Sequence, residues 1–247
     1  MSLTKYAILI GASSSIAQAM CKQLLASEQV HLLLISSKQS PVNELRDTRV
    51  TQLICDYSPT DIDRVLSDCD RVMGSKWQHV TQVFIFNGVL HSQQVMPEKR
   101  IEDVNASQLA SLYHTNTITP FMFVSAVISR LDKQCRCRIT VFSARVGSIE
   151  DNRLGGWYGY RSSKAALNML LKTATIELKR RAKDCKIIAF HPGTTDTPLS
   201  KPFQKNVPQG KLFTPEYVAR SCLLVTEALE NDGELSYVDW QGKEIAF

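Results

Sequence analysis

No uninterrupted apolar run in this 247-residue chain approaches the ~20 residues that a membrane-crossing helix needs. The first residues lack a basic region followed by a long apolar core, so the chain does not read as opening on a secretory leader. The cysteines lack any framework spacing. The seven thiols are odd in number, and Cys135 and Cys137 stand one residue apart with no matching second pair, unlike a zinc knuckle. They read as free thiols of a reducing compartment, and no metal site is expected. Charge of one sign is also lacking: 29 Lys and Arg against 24 Asp and Glu leave only +5, spread along the chain. The densest basic cluster, at 179–183, falls where a long helix should end, and cations there suit the helix dipole. Basic residues do not interleave with aromatic ones, so nucleic acid is not an expected partner. Repeats, linkers and low-complexity segments are missing too. These absences leave a soluble, cytoplasmic protein whose 44% hydrophobic content supports a sizeable core. Its length suits a single α/β domain over 1–247.

What is present is a succession of short apolar runs without alternation, the pattern of strands buried on both faces. They fall at 6–10, 31–36, 50–55, 80–86, 138–142 and 186–190, with a last one near 235–238. Helices are predicted from the first loop to about Ser27, over about 60–73, from Pro120 to about Leu131, and from Trp157 onward. A last helix runs to about Glu230 from Thr214-Pro215, a cap followed by proline at the first helical position. Strand-then-helix units in succession predict a doubly wound parallel sheet, a Rossmann-type three-layer α/β/α fold with ligand at the strands' carboxyl ends.

Several stretches at those ends carry chemistry. Gly11-Ala12-Ser13-Ser14-Ser15-Ile16-Ala17 joins a buried strand to a helix with small residues. It leaves room for backbone to approach a phosphate at the helix N-terminus. After the second strand stand Ser36-Ser37-Lys38, with no carboxylate before Glu44. An acidic residue there would bond a ribose 2′-hydroxyl, whereas two hydroxyls and an ammonium favour a 2′-phosphate; the competing reading is an ordinary polar turn. Tyr160 and Lys164 lie four apart at the start of a long helical segment, hence on one face. An ammonium beside a phenol favours its ionised form. Asn116 is polar in an otherwise apolar run and needs a partner or a functional reason. Residues 199–213 show little periodicity, which suits either a mobile lid over a cleft or a plain surface loop.

The order of these features resembles the short-chain dehydrogenase/reductase family over nearly the whole chain. The Ser-Ala-Arg-Val-Gly-Ser run and the Gly-Gly-Trp-Tyr approach are similar to its subgroup of small carbonyl reductases that includes the C-factor signalling protein. The resemblance implies a cofactor loop written Gly-x-x-x-Gly-x-Gly, of which Gly11 is kept while Ser15 and Ala17 replace the other two glycines. It implies that Asp56, followed by Tyr57, meets the adenine ring, and that Asn87-Gly88 is the family's Asn-Asn-Ala-Gly turn in shortened form. Pro192, Gly193, Thr195 and Thr197 match the turn that covers the nicotinamide, with Thr195 in place of a valine. Tyr160 is implied as the acid/base that exchanges a proton with a carbonyl or alcohol substrate. Lys164 would lower its pKa and bond the nicotinamide ribose, and Asn116 would hold a water that relays protons. The family's substrate-binding serine, three residues before a glycine, falls here on Ala144. Ser143 is the preferred substitute and Ser148 the alternative. NADP(H) is the expected cofactor, with NAD(H) left open. By analogy the chain forms a homodimer or homotetramer, which light scattering would test. A second reading is a catalytically weak or inactive sensor of the nicotinamide cofactor.

Overall fold

The computed structural model describes residues 4–39, 47–92, 95–181 and 183–247; Ala182 and the distant carboxylate Glu44 lie outside them. The apolar runs form a seven-stranded sheet. Its strands are β1 (Lys5–Ile10), β2 (Val30–Ser36), β3 (Val50–Ile54), β4 (Val80–Ile85), β5 (Cys137–Phe142), β6 (Cys185–His191) and β9 (Ser236–Asp239), in the order β3-β2-β1-β4-β5-β6-β9. All neighbours are parallel, as Ile8↔Leu33, Ile8↔Val83 and Ile139↔Ile187 illustrate. A strand's period of two sends successive residues to opposite faces. Ile8 and Ile10 therefore enter one core while Ala7 and Leu9 enter the other, and this is why the runs show no polar alternation.

Five of the six helices cover the two faces, and local caps set where some of them begin. On one face lie α1 (Ser15–Leu24) and α6 (Pro215–Ala228), which contribute Met20 and Val218 to the core. On the other lie α2 (Pro59–Met73), α4 (Thr119–Arg130) and α5 (Tyr158–Arg180), with Ile62, Phe123 and Leu167. Ser14, Ser58 and Thr214 each accept a hydrogen bond from a backbone N–H three residues on, satisfying helix donors that would otherwise be orphaned. The short α3 (Ala106–Tyr113) packs against α5.

Two local differences from the sequence reading bear on the site. The helix carrying Asn116 is broken by a π-helical turn at His114–Ile118 between α3 and α4, an insertion that turns Asn116 fully inward while His114 stays exposed. The segment after β6 is also more ordered than its composition suggests. β7 (Thr194–Thr195) pairs with β8 (Leu212–Phe213), pinning both ends of the 199–213 stretch, and Lys201–Asn206 form a 3₁₀ turn between them. Gly193 makes this possible: its φ is +71°, and a Cβ there would stand 2.6 Å from the Phe213 ring.

Candidate active site

The strand order reverses between β1 and β4, and the crevice at such a reversal lies beyond the carboxyl ends of the strands. A cleft of about 460 Å³ opens there. On one wall the β1 turn presses against the end of β4. Gly11 has φ +79°, and a Cβ on it would meet Asn87 N at 3.2 Å, so only glycine fits the close approach. Its N–H and that of Ala12 both donate to Ile35 O. Ser13, Ser14, Ser15 and Ile16 line the cleft at the N-terminus of α1. The Ser14 hydroxyl is already used as the helix cap, which leaves those of Ser13 and Ser15 for a ligand.

Tyr160, Lys164, Asn87, Gly88, Ser143, Pro192, Gly193, Thr195 and Thr197 line the same cleft. Gly88 touches the lysine: a Cβ there would lie 3.2 Å from Lys164 Nζ and 3.7 Å from Asn116 Oδ1. Lys164 donates to the carbonyl of Phe142 at 2.9 Å. The expected lowering of the tyrosine pKa by this ammonium is not what the structure shows. Burial dominates for both groups, pushing the Tyr160 phenol up to about 12, with Tyr237 adding to the rise, and the Lys164 ammonium down to about 8. At neutral pH the phenol thus keeps its proton, as an unshifted tyrosine would.

Asn116 is also committed differently from the expectation. Its Oδ1 accepts from Val89 N at 2.7 Å, and its Nδ2 donates to Val89 O at 2.9 Å and Ser163 Oγ at 3.1 Å. The amide thus ties the β4 loop to α5, and a water relay through it has one lone pair of Oδ1 left. At Ala144 the expected gap is real: its methyl packs with Leu90 and Tyr160. Of the two substitutes, Ser143 lines the cleft, but its hydroxyl donates to Asn168 Oδ1 at 2.7 Å. The Ser148 hydroxyl accepts from Asp151 N, 3.0 Å away, and does not line the cleft.

The remaining predicted positions lie outside this cleft. Ser36 is buried with its hydroxyl donating to Lys38 O, so it closes the turn after β2 and leaves Ser37 and Lys38 exposed. Asp56 is exposed, and its Oδ1 accepts from Ser58 N at 2.7 Å. Tyr57 is half-buried at φ +69°, its ring edge-on to Phe123. Among the described residues no cluster of three His, Cys, Asp or Glu side chains is placed to hold a metal ion, and no helix is long and apolar enough to cross a membrane.

The sequence reading passed over the cleft's aromatic roof. Phe203, on the 3₁₀ turn of the 199–213 segment, stands edge-on to Trp157 (centroids 5.2 Å apart) and to His91 (5.6 Å). His91 Nε2 also lies 3.1 Å from Pro198 O, so the loop after β4 meets that segment twice. Period alone cannot show which exposed-looking phenylalanine folds back over a site. The reading also passed over His191, which precedes Pro192-Gly193 and lines the cleft.

His191 is held neutral. Burial, with Arg145 nearby and Asp239 opposing, pushes its pKa down to about 4. An unfolded histidine takes up its proton near pH 6.5, so between about 6.5 and 4 the unfolded chain binds more protons than the folded one. Stability is fully present above that window and falls as the pH drops through it, by on the order of 3 kcal/mol from this residue. Urea titrations from pH 7 to pH 4 are expected to show a shallower loss for His191→Gln than for the wild type; equal slopes would refute this.

Three buried atoms around the cleft have no hydrogen-bond partner among the described residues: Asn87 Oδ1, His191 Nδ1 and Thr195 Oγ1. Orphaned polar atoms are costly, and these stand where a polar ligand would meet them. With the glycine turn and the α1 N-terminus, they fit a dinucleotide laid across the strand ends.

A doubly wound sheet with its cleft at the strand reversal and a tyrosine–lysine pair buried on one wall defines a dehydrogenase-type α/β protein. The chain belongs to the short-chain dehydrogenase family, whose model matches residues 5–208, a family of oxidoreductases. It is similar to benzil reductase ((S)-benzoin forming) of Bacillus cereus, at 24% identity across 95% of this chain and 99% of that protein. It is also 30% identical to C-signal of Myxococcus xanthus over 58% of this chain and 81% of that one. Among solved structures, carbonyl reductase Sniffer of D. melanogaster superposes with a TM-score of 0.82 at 22% identity, covering 100% of both chains. The NADPH-bound carbonyl reductase from chicken fatty liver gives 0.82 at 21%, again covering 100% of both. These two likenesses concern the fold.

Proposed function

We propose that the protein transfers a hydride between NADP(H) and a carbonyl or secondary-alcohol carbon, with Tyr160 as the general acid/base. The observation that carries this reading is geometric: the buried Tyr160 lines the cleft one helical turn from Lys164, which lines it too. NADPH, when bound, supplies the hydride. Ser13, Ser15, Ile16 and the α1 N-terminus are suited to its phosphates, and Ser37 and Lys38 to a 2′-phosphate. Asn87, Thr195, Thr197 and Lys164 would hold the nicotinamide half. In reduction, Tyr160 delivers a proton to the oxygen on which charge develops, and Lys164 keeps the surroundings cationic below pH ~8. NADPH and NADP are named in two of the solved relatives, which supports the choice of cofactor.

The substrate end of the cleft is walled by Leu90, Ala144, Val146, Trp157, Phe203 and Val207. Such walls favour an uncharged carbonyl compound with apolar or aromatic bulk, and residues 199–213 act as its lid. The Bacillus relatives named as benzil reductases support benzil as a first probe. Fluorescence titration is expected to show NADPH binding at least about tenfold tighter than NADH, the difference being the charge contact at Lys38. Steady-state assays with benzil should consume NADPH. Tight NADPH binding with no turnover of benzil or a wider panel of ketones and aldehydes would instead favour a cofactor sensor. The replaced glycines and the engaged Ser143 hydroxyl speak for that second reading.

A further inference from the structure

Helix α5 carries both Tyr160 and Lys164, yet it starts without a side-chain cap of its own. Trp157 precedes its first residue in a left-handed conformation (φ +53°) and makes no side-chain capping bond. A bulky residue at positive φ is strained, and the first N–H groups of any helix need outside partners. Here the partner comes from a distant loop. Glu98, only 3% exposed, sets its two carboxylate oxygens 3.3 and 3.2 Å from Gly159 N. Its main-chain carbonyl accepts from Trp157 N at 2.5 Å. Glu98 thus holds the N–H groups on both sides of Tyr158. A Cβ on Gly159 would lie 2.9 Å from Glu98 Oε1 and 2.6 Å from Leu112 Cδ1, so glycine is what lets the carboxylate reach the backbone. No ion pair to Glu98 is found among the described residues. Among the described residues, it is the N-terminus of α5 that faces this buried carboxylate.

We infer that Glu98 is a positioning residue for Tyr160: it fixes the first turn of α5 from outside the helix and thereby aims the phenol. Tyr160 directly follows Gly159, and its ring packs among Leu90, Ala144 and Trp157, so the direction of its hydroxyl follows its backbone. The inference rests on the reading of Tyr160 as the acid/base. It assigns Glu98 no contact with substrate or cofactor.

The test compares Glu98→Ala, Glu98→Asp and Tyr160→Phe with NADPH and benzil. The readouts are kcat, KM, NADPH affinity by fluorescence and the solvent isotope effect on kcat. Since a misplacement of about 1 Å can cost about 10²-fold, E98A is expected to lower kcat by about tenfold or more. KM and NADPH affinity should stay near wild type while the solvent isotope effect grows, because proton transfer becomes slower relative to other steps. E98D, one methylene short of Gly159 N, should show the same split at about fivefold, and it carries the test if E98A does not fold. Loss of turnover in Y160F together with wild-type kcat and isotope effect in E98A or E98D, even with a lowered Tm, overturns this inference alone. Wild-type turnover in Y160F overturns the reading of Tyr160 and this inference with it.

Discussion

Tyr160→Phe is expected to cut carbonyl reduction by about 10²- to 10⁴-fold, the range for loss of a positioned general acid, while NADPH binds as before. The variant removes only the hydroxyl. The ring keeps its place against Leu90, Ala144 and Trp157, so neither the cleft wall nor the cofactor path should change. The large effect follows from how few donors the substrate oxygen has. Ala144 offers a methyl, and the Ser143 hydroxyl is engaged by Asn168, so the Tyr160 proton carries most of the stabilisation of the developing charge. Because burial holds the phenol near 12, it stays protonated throughout the neutral range and reduction should show no limb from it there. Alcohol oxidation needs the phenolate, so that direction should accelerate as the pH rises toward 12. Stopped-flow measurement of NADPH consumption and formation in both directions checks this. An oxidation rate that falls between pH 8 and 10, or a Y160F variant with wild-type kcat, would refute it.

Gly147→Ala is expected to harm both stability and turnover. Gly147 closes the short turn after β5, its N–H donating to Ala144 O at 2.8 Å. Its Cα faces the backbone of α5 at Lys164. An added Cβ would stand 2.9 Å from Lys164 Cβ, 3.0 Å from Lys164 C and 3.2 Å from Ala165 N. Two of these are main-chain atoms that cannot swing aside, so the turn and the helix must separate. Overpacking of this kind costs about 1–3 kcal/mol, which for a chain of this length lowers Tm by roughly 2–4 °C per kcal/mol. The shift also moves Lys164 and, one turn earlier, Tyr160, so kcat should drop by about 10- to 100-fold. Calorimetry and steady-state kinetics read the two effects separately. A variant that melts and turns over like wild type would show that the contact between turn and helix is slack.

The layered fold was legible because its cause is local. A strand buried on both faces must be apolar at successive positions, and the runs at 6–10, 31–36, 138–142 and 186–190 could hardly be anything else once helices alternated with them. The glycine turn at Gly11 and the pair Tyr160/Lys164 were legible for a similar reason: a tight turn and a helical face are set within a few residues. Where sequence reasoning went astray, the deciding contacts came from far along the chain. The phenol's pKa was expected to follow its neighbour at i+4, but its burial beneath the loop after β4 and the 199–213 segment outweighs that charge. Asn116 is oriented by a π turn and held by Val89 and Ser163, partners 27 and 47 residues away. The Ser14 hydroxyl is used to cap α1, and that of Ser36 to close the turn after β2. Glu98 gave no signal, since a glutamate in a polar loop looks like any solvated charge until Gly159 is brought beneath it. By itself, then, the sequence determined the succession of strands and helices along the chain, the turn that must be glycine and the shared helical face of Tyr160 and Lys164. The tertiary structure alone decided the direction in which burial moves their pKa values, their hydrogen-bond partners and the cap of the helix that bears them. Those depend on desolvation and on distances between segments, which no local pattern of residue types encodes.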